Sequence, residues 1–156
     1  DRKDIHIVPI LCSGFNDLFP NENGPVSDKE VEQFITALSS AIEKRGERVC
    51  IIAGVDLSHL GKRFGQDVTI NEQFLEWMEQ EDRKMLSPVL GNDADSFFSF
   101  IRSEQDKRNV CGVPAIYTLL ELLKPLPITS ELLCYEKAVD EAIQSVVSFA
   151  GISFSE

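Results

Sequence analysis

Two stretches decide the fold: Ile5-His6-Ile7-Val8-Pro9-Ile10-Leu11-Cys12 and, forty residues on, Val49-Cys50-Ile51-Ile52-Ala53. Each packs aliphatic and β-branched residues into the length of a strand. Near-continuous apolar character suits a strand covered on both faces, as in a parallel sheet. Pro9 cannot donate to a ladder, so it belongs at an edge or a bulge. Between the two runs lies a loop over 16–26, rich in Pro and Asn, and then Ser27-Asp28-Lys29-Glu30, which reads as a capping box. Val31, Phe34, Ile35, Leu38 and Ile42 recur at helical spacing, and Gly46 supplies a stop, so a helix is expected over 28–45. Strand, loop, helix, strand normally closes as a right-handed parallel crossover.

Working outward, a polar, Gly-rich segment follows over 54–65. Phe74, Leu75, Met78, Met85 and Leu86 then mark one face of a helix over about 72–87, and the acidic positions of 72–84 read as its solvated face. Ala94, Phe97, Phe98 and Ile101 give a shorter helix, and 104–108 a solvated connection. Pro114 suits a first helical turn, and Ile116, Leu119, Leu120 and Leu123 carry that helix over 113–124 until Pro125 and Pro127 end it. Two closing strands are expected near 131–137 and 144–150, turning around Asp140. The fold class is therefore α/β: a layered, mostly parallel sheet flanked by helices, with an antiparallel C-terminal hairpin. Residues 1–156 form a single domain or the C-terminal part of one.

The chain has 156 residues, with 15 Lys+Arg against 26 Asp+Glu and a formal net charge of −11. That balance argues against nucleic acid or an anionic membrane as partner, since phosphate contacts need clustered Lys and Arg. No apolar run approaches the roughly 18 residues of a membrane span. Asp1-Arg2-Lys3-Asp4 does not open a signal peptide, and four cysteines at 12, 50, 111 and 134 form no C-x-x-C pair. Free thiols in the cytoplasm are the expectation.

Two places hold chemistry. In open α/β sheets, sites form beyond the carboxyl ends of strands, and 54–65 stands there relative to 49–53. It carries Asp56, Ser58, His59, Lys62 and Arg63 among three glycines. A carboxylate and an imidazole three residues apart can share a metal, or the Asp can orient the imidazole for proton transfer. The plainer reading makes Asp56 a loop cap and His59 a half-buried surface histidine. The second place is Cys111-Gly112-Val113-Pro114, where a thiol ahead of a helix start faces unpaired amides that favour the thiolate. Its plainer reading is a small residue packed against Gly112. Cys12, Cys50 and Cys134 lie in strand-like runs and are expected in the core, as is His6 as a packing residue.

The stretch Ala53-Gly54-Val55-Asp56-Leu57-Ser58-His59-Leu60-Gly61-Lys62-Arg63-Phe64-Gly65, the later Val110-Cys111-Gly112-Val113-Pro114-Ala115-Ile116 and the closing Ser148-Phe149-Ala150-Gly151-Ile152 resemble the Memo family. Its bacterial and archaeal members are called AmmeMemoRadiSam system protein B. The blocks stand in the family's order and span most of this chain, but only the C-terminal half to two-thirds of a typical member. The resemblance implies a fold like the LigB-type class III extradiol dioxygenases, with a metal-centred cleft and an oxidoreductase-type or dioxygenase-like role. It implies iron or copper as the metal, His59 and Cys111 as ligands, and Asp56 beside His59 with a catalytic, orienting part.

The family's other metal-binding histidines lie in an N-terminal portion that has no counterpart here, and His6 does not match them. An initial residue other than Met and an immediate strand-like start favour a piece of a longer polypeptide over a truncated relative. The partners then expected are an unknown small molecule or peptide, and the N-terminal remainder of the same protein. The alternative function is a non-catalytic module that takes acidic or phosphorylated peptides on Lys62 and Arg63. The family's description as binding phosphotyrosine-containing segments points the same way.

Overall fold

A computed structural model describes residues 5–13, 28–45 and 48–155 of the chain. Four helices and three strands run in the order α1 (Lys29–Arg45), β1 (His59–Gly61), α2 (Glu72–Leu90), α3 (Ala94–Ser103), α4 (Val113–Leu123), β2 (Thr129–Asp140) and β3 (Ser145–Ser155). The helices stand where their apolar periodicity places them. Asp28 caps α1, its carboxylate accepting from the Glu30 amide at 2.8 Å. Ser27, Gly46 and the 16–26 loop lie outside the described residues. Asn71 and Asp93 cap α2 and α3 in the same way, at 2.9 Å each. Helix α2 continues through Pro88 to Leu90, beyond the expected end.

The strands differ from the expectation. The described sheet has the order β1-β3-β2, and both pairings are antiparallel. Its main part is the closing hairpin, longer than expected but turning after Asp140, whose carboxylate accepts from the Ala142 amide at 3.1 Å. A register shift lies between Leu132 and Cys134, which leaves Cys134 opposite Gly151. The mostly parallel sheet is not what the described residues form. Residues 5–12 and 49–53 are assigned to no strand, and their side chains face solvent: Ile7 is 84 % exposed and Ile52 82 %. High β-propensity makes a strand only where a neighbour accepts its ladder, and among the described residues neither segment has one.

The core lies between α2, α3, α4 and the inner face of the hairpin. Met85, Leu86, Phe97, Phe98, Ile101, Tyr117 and Leu120 are fully enclosed there. A smaller cluster of Leu60, Met78 and Val146 seats β1. Helix α1 has no buried residue, although Val31 and Ile35 touch the main core. No helix among the described residues is long and apolar enough to cross a membrane.

Candidate metal centre

The segment 54–61 leads from an exposed stretch into β1, and the chain before α4 closes over it. Three backbone bonds fix its path: the Leu57 amide donates to the Ser148 carbonyl at 2.8 Å, the Ser148 amide to Ser58 at 3.0 Å, and the His59 amide to Arg108 at 2.7 Å. Two glycines make close approaches possible here, Gly61 to the hairpin turn and Gly112 to the Asp56 loop. Gly61 has φ +109°, and a Cβ there would sit 2.2 Å from the Gln144 carbonyl oxygen. A Cβ at Gly112 would sit 2.6 Å from the Asp56 carbonyl oxygen, so Cys111 reaches the Asp56 loop only because its successor has no side chain.

The result is a meeting of three donors. One ligand atom each from Asp56, His59 and Cys111 lies within 4.8 Å of the others. His59 Nε2 stands 3.7 Å from Asp56 Oδ2, and Cys111 Sγ 3.8 Å from the Asp56 carbonyl. Asp56 and Cys111 are exposed and His59 is half-buried, so the group opens to solvent. The other ring nitrogen, Nδ1, lies 3.0 Å from the Leu57 carbonyl oxygen. A carbonyl only accepts, so a neutral ring that makes this bond carries its proton on Nδ1 and turns Nε2 toward Asp56 and Cys111. Metal-ligating histidines are held in this manner, with the second nitrogen donating to a carbonyl or carboxylate. Phe64 meets the His59 ring edge-on at 5.1 Å and fixes its plane.

The set fits a transition metal. Donors about 2.0–2.3 Å from a common ion lie no more than about 4.6 Å apart, a separation that a small side-chain adjustment reaches from here. Thiolate with imidazole suits copper, iron or zinc better than magnesium. Asp56 stands at donor distance rather than only behind the histidine, which makes three donors where the sequence reading counted two ligands.

Lys62 and Arg63 follow β1 in a single 3-10 turn with Phe64. Both are exposed, and neither forms an ion pair among the described residues. Arg63 and Phe64 line a shallow groove of about 190 Å³ with Val139, Asp140, Ile143 and Ser145. Lys62, His59 and Cys111 do not line it. His6 is exposed rather than packed. Cys50 and Cys134 are exposed and Cys12 is half-buried, so the expectation that these three thiols sit in the core does not hold; the segments meant to bury two of them pair with no strand among the described residues, and Cys134 points away from the core beside the register shift.

Sequence reasoning missed what lies beneath the site. Asp82 and Arg108 are fully buried, against the expectation of a solvated acidic face and a solvated connection. Asp82 Oδ1 accepts from Ser58 Oγ at 2.5 Å and from Arg108, and its Oδ2 accepts from Ser148 Oγ at 2.5 Å and from Tyr135 at 2.8 Å. Arg108 donates also to Glu104, at 2.6 Å and 3.0 Å. Burial, together with the neighbouring Asp82 charge, pushes the Tyr135 phenol well above its usual range and keeps it a donor. One signal was readable: Asp82 falls on the α2 stripe of Met78, Met85 and Val89, where an acid must find buried partners.

The family model described as "Memo-like protein" matches residues 3–153. This chain belongs to that family. A relative named "MEMO1 family protein" from Aquifex aeolicus (strain VF5) is 24 % identical over 127 residues. Those residues are 81 % of the Memo-like chain and 32 % of the relative, so the chain spans about a third of that relative's length.

Proposed function

We propose that this Memo-like chain carries a transition-metal site made by His59, Cys111 and Asp56, and that it serves a metal-dependent, oxidoreductase-type role. The observation that carries the reading is the convergence of the three donors, with Nδ1 of His59 held by the Leu57 carbonyl and Nε2 turned toward Asp56. His59 and Cys111 would hold the ion, and Asp56 would complete the set or share the imidazole's proton. A copper or iron ion bound there supplies one-electron redox chemistry and Lewis acidity. The exposure of Asp56 and Cys111 leaves room for a small substrate or for a further ligand from elsewhere in the family's longer proteins. The finer fold proposed with it is the LigB-type layer, in which 5–12 and 49–53 are parallel strands. Their exposed, near-continuous apolar character supports that, since such runs suit strands covered on both faces.

Anaerobic titration of the chain with Cu(I) and Fe(II) against a competing chelator tests the proposal. The expected result is one equivalent bound, with Cys111→Ala and His59→Ala each weakening affinity on the order of tenfold or more. Weak binding that neither substitution changes would remove the metal reading.

A second reading is favoured by one observation: Arg63 beside an apolar groove, with Lys62 adjacent, gives two cations that form no ion pair among the described residues of an acidic chain. The groove would take an acidic or phosphorylated peptide there. A double Lys62→Ala, Arg63→Ala variant should then lose phosphotyrosine-peptide affinity; unchanged affinity ends that reading.

A further inference from the structure

The buried Asp82 cluster touches no candidate donor atom, yet it is bonded to both chain segments that bring donors together. On one side is Ser58, the residue before His59. Its hydroxyl donates to Asp82 at 2.5 Å and accepts from Arg108 at 3.1 Å, and its amide donates to Ser148 Oγ at 3.1 Å. On the other side is Arg108, three residues before Cys111. Its side chain reaches Asp82, Ser58 and Glu104, while its carbonyl accepts the His59 amide at 2.7 Å. Ser58, Asp82, Arg108 and Ser148 are all fully enclosed. A buried salt bridge often adds no stability over apolar side chains of similar volume, and in some proteins it serves conformational specificity instead.

We infer that Asp82 and Arg108, acting through the Ser58 hydroxyl, are positioning residues that hold His59 in its Nδ1-protonated form and set its place beside Cys111. The purpose of this device rests on the metal reading; its geometry does not. With Ser58 pinned from both sides, the Leu57 carbonyl is held 3.0 Å from Nδ1 of the His59 ring, and Nε2 is turned toward Asp56 Oδ2 at 3.7 Å. Without the hydroxyl, the 57–59 backbone keeps its sheet bonds but loses the side-chain anchor, and the ring is free to exchange tautomers.

The chain has two histidines, so a His6→Gln background leaves His59 as the single imidazole. Nitrogen-15 spectra of the metal-free protein, recorded at about pH 8.5, on the basic side of the ordinary imidazole range, read the tautomer directly. The expected result is one form with Nδ1 protonated, a mixture of both forms in Ser58→Ala, and recovery of the single form in Ser58→Thr. Phe97→Leu, which loosens the core outside the cluster, should leave the tautomer alone at a similar loss of melting temperature. If Ser58→Ala fails to fold, Asp82→Asn is read in the same way and is expected to give the mixture. A Co(II) titration adds the second readout: Ser58→Ala should weaken binding about tenfold and dim the thiolate-to-cobalt absorption band.

An unchanged tautomer in the folded Ser58→Ala or Asp82→Asn protein would overturn the inference, as would an equal response to Phe97→Leu. If the tautomer responds as expected while the parent protein binds none of Co(II), Cu(I) or Fe(II), the positioning role stands and the metal reading falls.

Discussion

The described residues up to Ala53 and residues 54–155 both hold strand-like apolar runs and helical apolar stripes, but only the second region encloses them. In the hairpin, Val146 is 1 % exposed, whereas Leu11 in the first region is 94 % exposed. The difference does not lie in the residues. Val146 has β1 on one side and β2 on the other, with Leu60 and Met78 against its side chain. Leu11 has no strand beside it among the described residues. An apolar run thus states a demand for burial, and only a paired neighbour meets it. The candidate metal centre stands at the boundary: Asp56 lies where the exposed stretch ends, while His59 and Cys111 are anchored to the packed region.

The comparison breaks most easily in the core. Phe97→Ala should cost about 3–5 kcal/mol in denaturant unfolding, because Phe97 is fully enclosed. Ile52→Ala, deleting a large apolar side chain of the other region, should change stability by less than about 0.5 kcal/mol. A large loss from Ile52→Ala would show that the N-terminal region is packed after all. Gly61→Ala comes next, at roughly 2–4 kcal/mol, since the added Cβ meets the Gln144 backbone at a φ that side chains resist; a near-neutral result would mean that β1 is not held as described.

Smaller effects sharpen the electrostatics of the packed region. Lys137→Met removes the Glu79 partner that ties α2 to β2 at 2.5 Å, and a half-exposed pair of this kind is worth about 0–1 kcal/mol. The Lys137 hydrogen bond, with Arg83 second, holds the Glu79 carboxyl below its usual value of 4.5. The stability it contributes is present above that value and lost as pH falls through the depressed folded value, so Lys137→Met should flatten the acid limb of the stability profile. Asp106, whose carboxylate accepts from the Val110 amide ahead of Cys111, has the opposite sign because burial raises its pKa. Its contribution is fullest below the ordinary carboxylate range and is lost as pH rises through the raised folded value. Asp106→Asn, which keeps an acceptor for Val110, should therefore stabilise the protein slightly at neutral pH. Any loss at neutral pH would contradict the assigned burial.

The helices were legible because their signals are local. The stripes of α2 to α4 and Pro114 in the first turn of α4 need no distant partner to be read. The hairpin was legible for the same reason, its turn being written in Asp140 and the residues after it. Pairing is not local, so 5–12 and 49–53 were read as parallel strands that the described residues do not form. Strand β1 was too short, and too rich in glycine around it, to stand out from a loop. The family blocks directed attention to Asp56, His59 and Cys111. Nothing in their spacing gave the Gly112 contact that lets the third approach the first. Arg108 was hidden by its setting among the charged residues 104–108, where only Asp82 on the opposing apolar stripe hinted at a buried partner.

The most direct test of the account is metal-edge X-ray absorption on the copper-loaded chain, which counts sulfur and nitrogen neighbours of the ion. One sulfur and one imidazole nitrogen are expected, with the sulfur absent in Cys111→Ser and the imidazole absent in His59→Ala. A spectrum of oxygen and nitrogen neighbours that neither substitution alters would contradict it.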